Sequence, residues 1–179
     1  ETYSNHRRGR PRDAPTSAGK VPVTSKGADW QSIRTELERS APDCGLNLAH
    51  AAVTRHARGP DADRTALRIL SGRNGEQEWT YAKLECLTNR VANGLTRLGL
   101  APGQVVAALC GRTPELYLTA LGALKAGGVF CALYASYGPE PIIHRLAASR
   151  ATILVTTGRQ FAKIRNLRFR LPDLLHILL

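Results

Sequence analysis

The stretch Leu124–Pro141, "LKAGGVFCALYASYGPEP", decides the fold. A helical run ends at Gly127-Gly128, an apolar strand follows at once from Val129 to Tyr134, and a Gly-Pro-Glu-Pro corner at 138–141 starts another helix. Glycine supplies the left-handed backbone that ends helices, and proline is tolerated in a first helical turn because its position needs no amide. Such punctuation belongs to alternating strands and helices, and it puts the loop after Tyr134 at a strand's carboxyl end. Working outward, "QVVAALC" (Gln104 to Cys110) is a continuous apolar run that reads as a strand buried on both faces. Thr113-Pro114-Glu115 then opens a helix: Thr caps the free amides, Pro takes the first position and Glu complements the dipole. The helix running through "ELYLTALGALKA" is apolar nearly all round and is expected to be deeply buried. Lys125, in its last turn, reads as a charge meeting the negative helix end.

Downstream come helix "EPIIHRLAAS", strand "TILVTT" (Thr152 to Thr157), a helical segment through Arg170 and a last strand "LLHILL". From position 104 the order is therefore β-α-β-α-β-α-β. That order specifies an α/β domain with a mostly parallel sheet, right-handed crossovers and helices on both faces. Ligands of such sheets bind past the carboxyl ends of the strands, here the loops after Cys110, Tyr134 and Thr157.

Upstream, Leu84, Leu87, Val91, Leu95 and Leu98 form one apolar stripe at helical spacing, ended by Gly99. "TALRIL" (Thr65 to Leu70) and "EQEWTY" (Glu76 to Tyr81) flank Gly72-Arg73-Asn74-Gly75 and read as a hairpin with an Asn-Gly turn. "DWQSIRTELERS" and "NLAHAAVTRHA" read as short helices, the second capped by Asn47. Residues 1–29 have three Pro and almost no apolar periodicity, so they are expected to be a disordered basic tail.

The 179 residues carry a formal charge of +11. The excess sits at the two ends: six Lys/Arg against three acids in the first thirty residues, and five against one in 151–179. Residues 31–150 are nearer balance, at fourteen against ten. A nucleic-acid-binding role would rest on net charge alone, because no DNA-reading module follows the "HRRGRPR" arm. Cys44, Cys86, Cys110 and Cys131 show neither C-x-x-C spacing nor a His at ligand spacing, so no metal site is expected and a reducing, cytoplasmic setting is. No apolar run reaches the roughly twenty residues of a membrane span. The chain contains no Met, so Glu1 is not expected to be a natural start.

The residues carry a resemblance beyond pattern. "WTYAKLECLTNRVANGLTRLGLAPGQVVAALCGRTPELYLTALGALKAGGVFCALYASYGPEPI" resembles the N-terminal region of AMP-forming acyl-CoA synthetases of the adenylate-forming superfamily. "TYAKL" looks like that family's first core motif and "LKAGGVFCALY" like its second. "LNLAHAAVTRHARGPDADRTAL" and "YASYGPEPIIHRL" look most like the acetyl-CoA synthetase branch. The resemblance covers about Leu46 to Leu179. It implies that residues 30–179 are the N-terminal part of an AMP-binding domain, ending before the family's phosphate loop, its aromatic-Thr-Glu motif and its catalytic Lys. "TSAGKVPVTSKG" (Thr16 to Gly27) imitates that loop only superficially, since no strand leads into it, and no G-x-x-x-x-G-K-[ST] loop occurs.

The implied activity joins a carboxylate, acetate or another short acid, to CoA at the expense of ATP with Mg²⁺. No catalytic residue is expected in this part. The resemblance brings Tyr134, Ala135 and Ser136 to the adenine end of CoA, with Ala and Ser where the family carries glycines. It brings Arg159, Lys163 and Arg165 toward the CoA 3′-phosphate, a pattern that a solvated basic helix face meets equally well. Arg112 reads as a surface residue beside a helix start. The alternative from another class is a non-catalytic remnant that acts by binding a partner.

Overall fold

A computed structural model describes residues 29–39, 46–71 and 75–179 of the chain. The basic tail, Cys44 and the tip of the Asn-Gly turn lie outside the described residues. Helix α1 (Trp30–Arg39) comes first. A π-helical turn (His50–Thr54) then runs into α2 (Arg55–Ala57). Asn47 caps this second helical segment, its Oδ1 accepting from the amides of Ala49 and His50 at 3.0 and 3.2 Å.

Strands β1 (Thr65–Ser71) and β2 (Gly75–Thr80) form an antiparallel pair, from Thr65 opposite Thr80 to Ser71 opposite Gly75. Tyr81 belongs not to the strand but to α3 (Tyr81–Arg97), because the Thr80 hydroxyl accepts from the Lys83 amide at 3.3 Å and caps the helix there. The buried stripe of α3 is Leu84, Thr88, Ala92 and Leu95, close to the one expected.

Strands β3 (Val105–Leu109), β4 (Val129–Ala132), β5 (Ile153–Thr156) and β6 (His176–Leu178) form the main sheet. Their order is β4-β3-β5-β6 and every pair is parallel, as the alternation required. Successive side chains point to opposite faces. Ala107, Leu109 and Leu154 therefore pack with Ile142, Ile143 and Leu146 of α5 (Pro139–Ala148). Val106 and Ile153 face the other way, against Leu95 of α3 and Ala123 of α4 (Pro114–Lys125). Helices cover both faces, and each fully buried Leu or Ile contributes about 1.5–3 kcal/mol.

The Gly pair of the opening stretch has two separate jobs. Gly127 ends α4 at φ 76°, and the amides of Gly127 and Gly128 return to the carbonyls of Leu124 and Ala123 at 3.1 and 2.8 Å. A Cβ on Gly128 would stand 3.2 Å from the Ala123 and Gln104 carbonyl oxygens, so a side chain there would press on the backbone where strand β4 leaves the helix.

Three expectations are corrected. Helix α4 is not deeply buried: only Thr119, Gly122 and Ala123 are, and Tyr117 is 42% exposed. One side of α4 meets α3 so closely that a Cβ on Gly122 would come within 2.5 Å of Val91 Cγ1. Toward the start of α4 the same face borders an open apolar groove of about 510 Å³ lined by Leu95, Leu98, Leu118, Val155 and Leu178. Thr113 does not cap α4 through its side chain. Finally, the single helix expected up to Arg170 is two pieces, α6 (Gly158–Phe161) and a 3₁₀ helix (Arg165–Arg170). Ile164 and Leu167 turn inward three residues apart, the repeat of a 3₁₀ helix.

Candidate ligand pocket at the carboxyl edge of the sheet

Strands β3 and β4 end side by side, and the loops that follow them enclose a pocket of about 400 Å³. Cys110, Gly111, Arg112 and Leu116 form one wall; Tyr134, Ala135 and Ser136 form the other. Leu133, 4% exposed, anchors the second wall, and its amide extends the ladder to the Ala108 carbonyl at 2.9 Å. The chain then reverses in a turn closed by the Tyr137 amide on the Tyr134 carbonyl at 3.0 Å.

Tyr134 is 70% exposed. Its ring meets that of Tyr137 nearly at right angles, with centroids 5.3 Å apart. The Arg145 guanidinium of α5 lies 4.5 Å from the Tyr137 ring. Aromatic edge-to-face contact and cation–π attraction thus hold one ring in place and leave the other presented to solvent.

The basic residues from the sequence do not converge on this pocket. Arg159 in α6 and Arg165 at the start of the 3₁₀ helix are exposed, and neither lines it. Lys163 approaches from beneath: its Nζ donates to the carbonyls of Ala135 at 2.7 Å and Tyr137 at 2.9 Å. Arg112, read from sequence as surface, forms part of a wall. The only signal that could have found it was its place one turn before a helix at a strand's carboxyl end.

The Cys110 thiol is buried, which pushes its pKa up; the Glu115 carboxylate acts in the same direction, against the Thr113 hydrogen bond. A thiol held protonated is a poor nucleophile.

Lys125 takes a different role from the dipole-facing charge expected. It forms a mostly buried ion pair with Glu85 of α3, with side chains 10% and 13% exposed, and its Nζ also donates to Asn89 Oδ1 at 2.8 Å. The Thr54 hydroxyl donates to Glu85 Oε2 at 2.8 Å. Burial pushes the Glu85 carboxyl up, but the hydrogen bonds from Lys125, Thr54 and Asn89 together with the Lys125 charge hold it below its ordinary value. Among the described residues no group of three or more His, Cys, Asp or Glu is placed to hold a metal ion. No helix among them is long and apolar enough to cross a membrane.

Residues 53–176 match the family model described as AMP-binding enzyme. The acetyl-coenzyme A synthetase of Bacillus subtilis (strain 168) is 32% identical over 133 residues, covering 74% of this chain and 23% of that protein. Long-chain fatty acid transport protein 1 of Rattus norvegicus is 37% identical over 149 residues, covering 75% of this chain and 23% of its own. The crystal structure of Brucella canis acyl-CoA synthetase superposes with a TM-score of 0.71 at 31% identity, over 84% of this chain and 26% of that one. The match to the family model spans well over half of the chain, and the chain belongs to the AMP-binding enzyme family. It spans about a quarter of the length of the relatives it matches.

Proposed function

We propose that residues 30–179 are the N-terminal part of the AMP-binding domain of a cytoplasmic AMP-forming acyl-CoA ligase acting on acetate or another short carboxylate, and that the pocket at the carboxyl edge of the sheet faces CoA. The whole enzyme performs two substitutions. A carboxylate oxygen attacks the α-phosphorus of ATP and pyrophosphate leaves, giving acyl-AMP. The CoA thiol, losing its proton, then attacks the acyl carbonyl carbon and AMP leaves. Mg²⁺ offsets phosphate charge in the first step. The acids and phosphate loop that would hold it are not among the described residues.

The observation that carries the reading is the presented ring of Tyr134 beside small Ala135 and Ser136 over an open pocket. A flat aromatic face with room above it suits a purine, and such stacking is worth on the order of 1–3 kcal/mol. In the complete enzyme, Tyr134→Ala should raise KM for CoA about tenfold and leave acetate-dependent pyrophosphate–ATP exchange near its wild-type rate, since binding lost uniformly appears in KM. Equal losses in exchange and in thioester formation would sink this reading.

A further inference from the structure

The turn Tyr134–Tyr137 is closed by one backbone bond and anchored at one end, where Tyr137 packs against the core and Arg145. It carries no buried side chain between Leu133 and Ile142, and its two central residues, Ala135 and Ser136, are small. A further hold comes from 26 and 28 residues later in the chain, where the Lys163 ammonium bonds the carbonyls of Tyr137 and Ala135 together. A lysine offers three donors and no acceptor, and hydrogen bonds from a charged donor are roughly twice as strong as neutral ones. The lysine is itself well seated. Its neighbour Ile164 is 1% exposed in the core, and α6 just before it is capped by the Thr157 hydroxyl, which accepts from the Gln160 amide at 3.4 Å.

The peptide geometry adds a consequence. Each peptide is planar and trans, so a carbonyl and the following N–H point opposite ways. Drawing the Ala135 and Tyr137 carbonyls toward Nζ therefore directs the N–H groups of Ser136 and Gly138 away from it. The same turn leaves Tyr134 presented and Tyr137 clasped between Tyr134 and Arg145.

We infer that Lys163 is the positioning residue of the ligand-facing turn, its charge committed to ordering Tyr134–Tyr137 rather than to meeting a ligand phosphate. This rests on the reading of that turn as the face toward CoA, and the test separates the two.

Amide exchange is measured by NMR on the 179-residue chain and on its Lys163→Met and Lys163→Arg variants. Lys163→Met should speed exchange at the Tyr137 amide by about tenfold or more, while Ala107 and Leu154 in the sheet keep their rates, because opening is local. Lys163→Arg keeps the donors and should hold the wild-type rate. An unchanged Tyr137 rate in the Met variant overturns the inference. So does equal acceleration across the sheet, or an Arg variant as loose as the Met one. Adenosine 3′,5′-bisphosphate is then titrated while the Tyr134 ring signals are followed. Weaker binding by Lys163→Met at unchanged Tm supports positioning, and binding as tight as wild type overturns it. A wild-type chain that ignores this probe sinks the CoA reading of the turn, while the exchange rates still decide the role of Lys163.

Discussion

Arg150 stands at φ 51°, the one positive-φ residue other than glycine among those described. It ends α5 with the same pair of bonds that Gly127 and Gly128 make at the end of α4: its amide returns to Ala147 at 3.0 Å and that of Ala151 to Leu146 at 3.1 Å. A Cβ in this backbone region costs roughly 1–2 kcal/mol, while glycine costs about 0.5–1 kcal/mol more than other residues to order on folding. The ion pair from Arg150 to Asp173, 3.6 Å long with Arg150 80% exposed, offsets little of this. Arg150→Gly is therefore expected to raise stability by about 0.5–1 kcal/mol, a rise of about 1–4 °C in Tm for a chain of this size. Gly127→Ala, at φ 76°, should lower it. Thermal melts of both variants check the pair, and an Arg150→Gly variant that melts below wild type would mean the Asp173 pair outweighs the backbone strain.

At the scale of elements, α3 and α4 are joined by close packing at Gly122 and by the Glu85–Lys125 pair. The Glu85 pKa is lower folded than unfolded, so the unfolded chain binds more protons between the two values and stability there rises with pH. The contribution is complete above the ordinary value of 4.5 and is lost as pH falls through the folded pKa. At neutral pH, Glu85→Gln leaves a mostly buried ammonium without its partner, a loss of about 3–5 kcal/mol by comparison with other buried pairs. The gap in Tm between wild type and variant should narrow below about pH 4.5. A gap that stays constant from pH 7 to 3 would show that Glu85 acts by shape and not by charge. Periodicity revealed both helices, because Leu84 and Leu95 repeat on one face and Pro114 can occupy only a first turn. It did not reveal this tie, since partners 40 residues apart leave no periodic mark. Nor does apolar composition say what covers a helix, which is why α4 read as deeply buried although one side opens on the groove. The loop after Tyr134 was legible from topology. The loop after Cys110 was legible in the same way; that it faces the loop after Tyr134 across one pocket was not, because which strands end side by side depends on strand order in space.

For the whole molecule, that order sets a schedule. β3 lies between β4 and β5, and its partners follow it in sequence: Val105 pairs with Val129, 24 residues on, and Val106 with Ile153, 47 residues on. Pairing across longer stretches costs more loop-closure entropy before any contact repays it. The β1–β2 hairpin closes over 4 to 15 residues and the α3–α4 tie at Glu85–Lys125 over 40, both shorter than the 47 that bring β5, and β6 behind it, to β3. On refolding from denaturant, pulse-labelled exchange is expected to protect the β1, β2, α3 and α4 amides ahead of those of β5 and β6. Earlier or simultaneous protection of β5 and β6 would refute this. A ribosome delivering this chain thus hands over its central strand with both edges bare. Val106–Leu109, four residues with no exposed side chain in the finished fold, must stay out of improper pairings until Thr156 has left the exit tunnel.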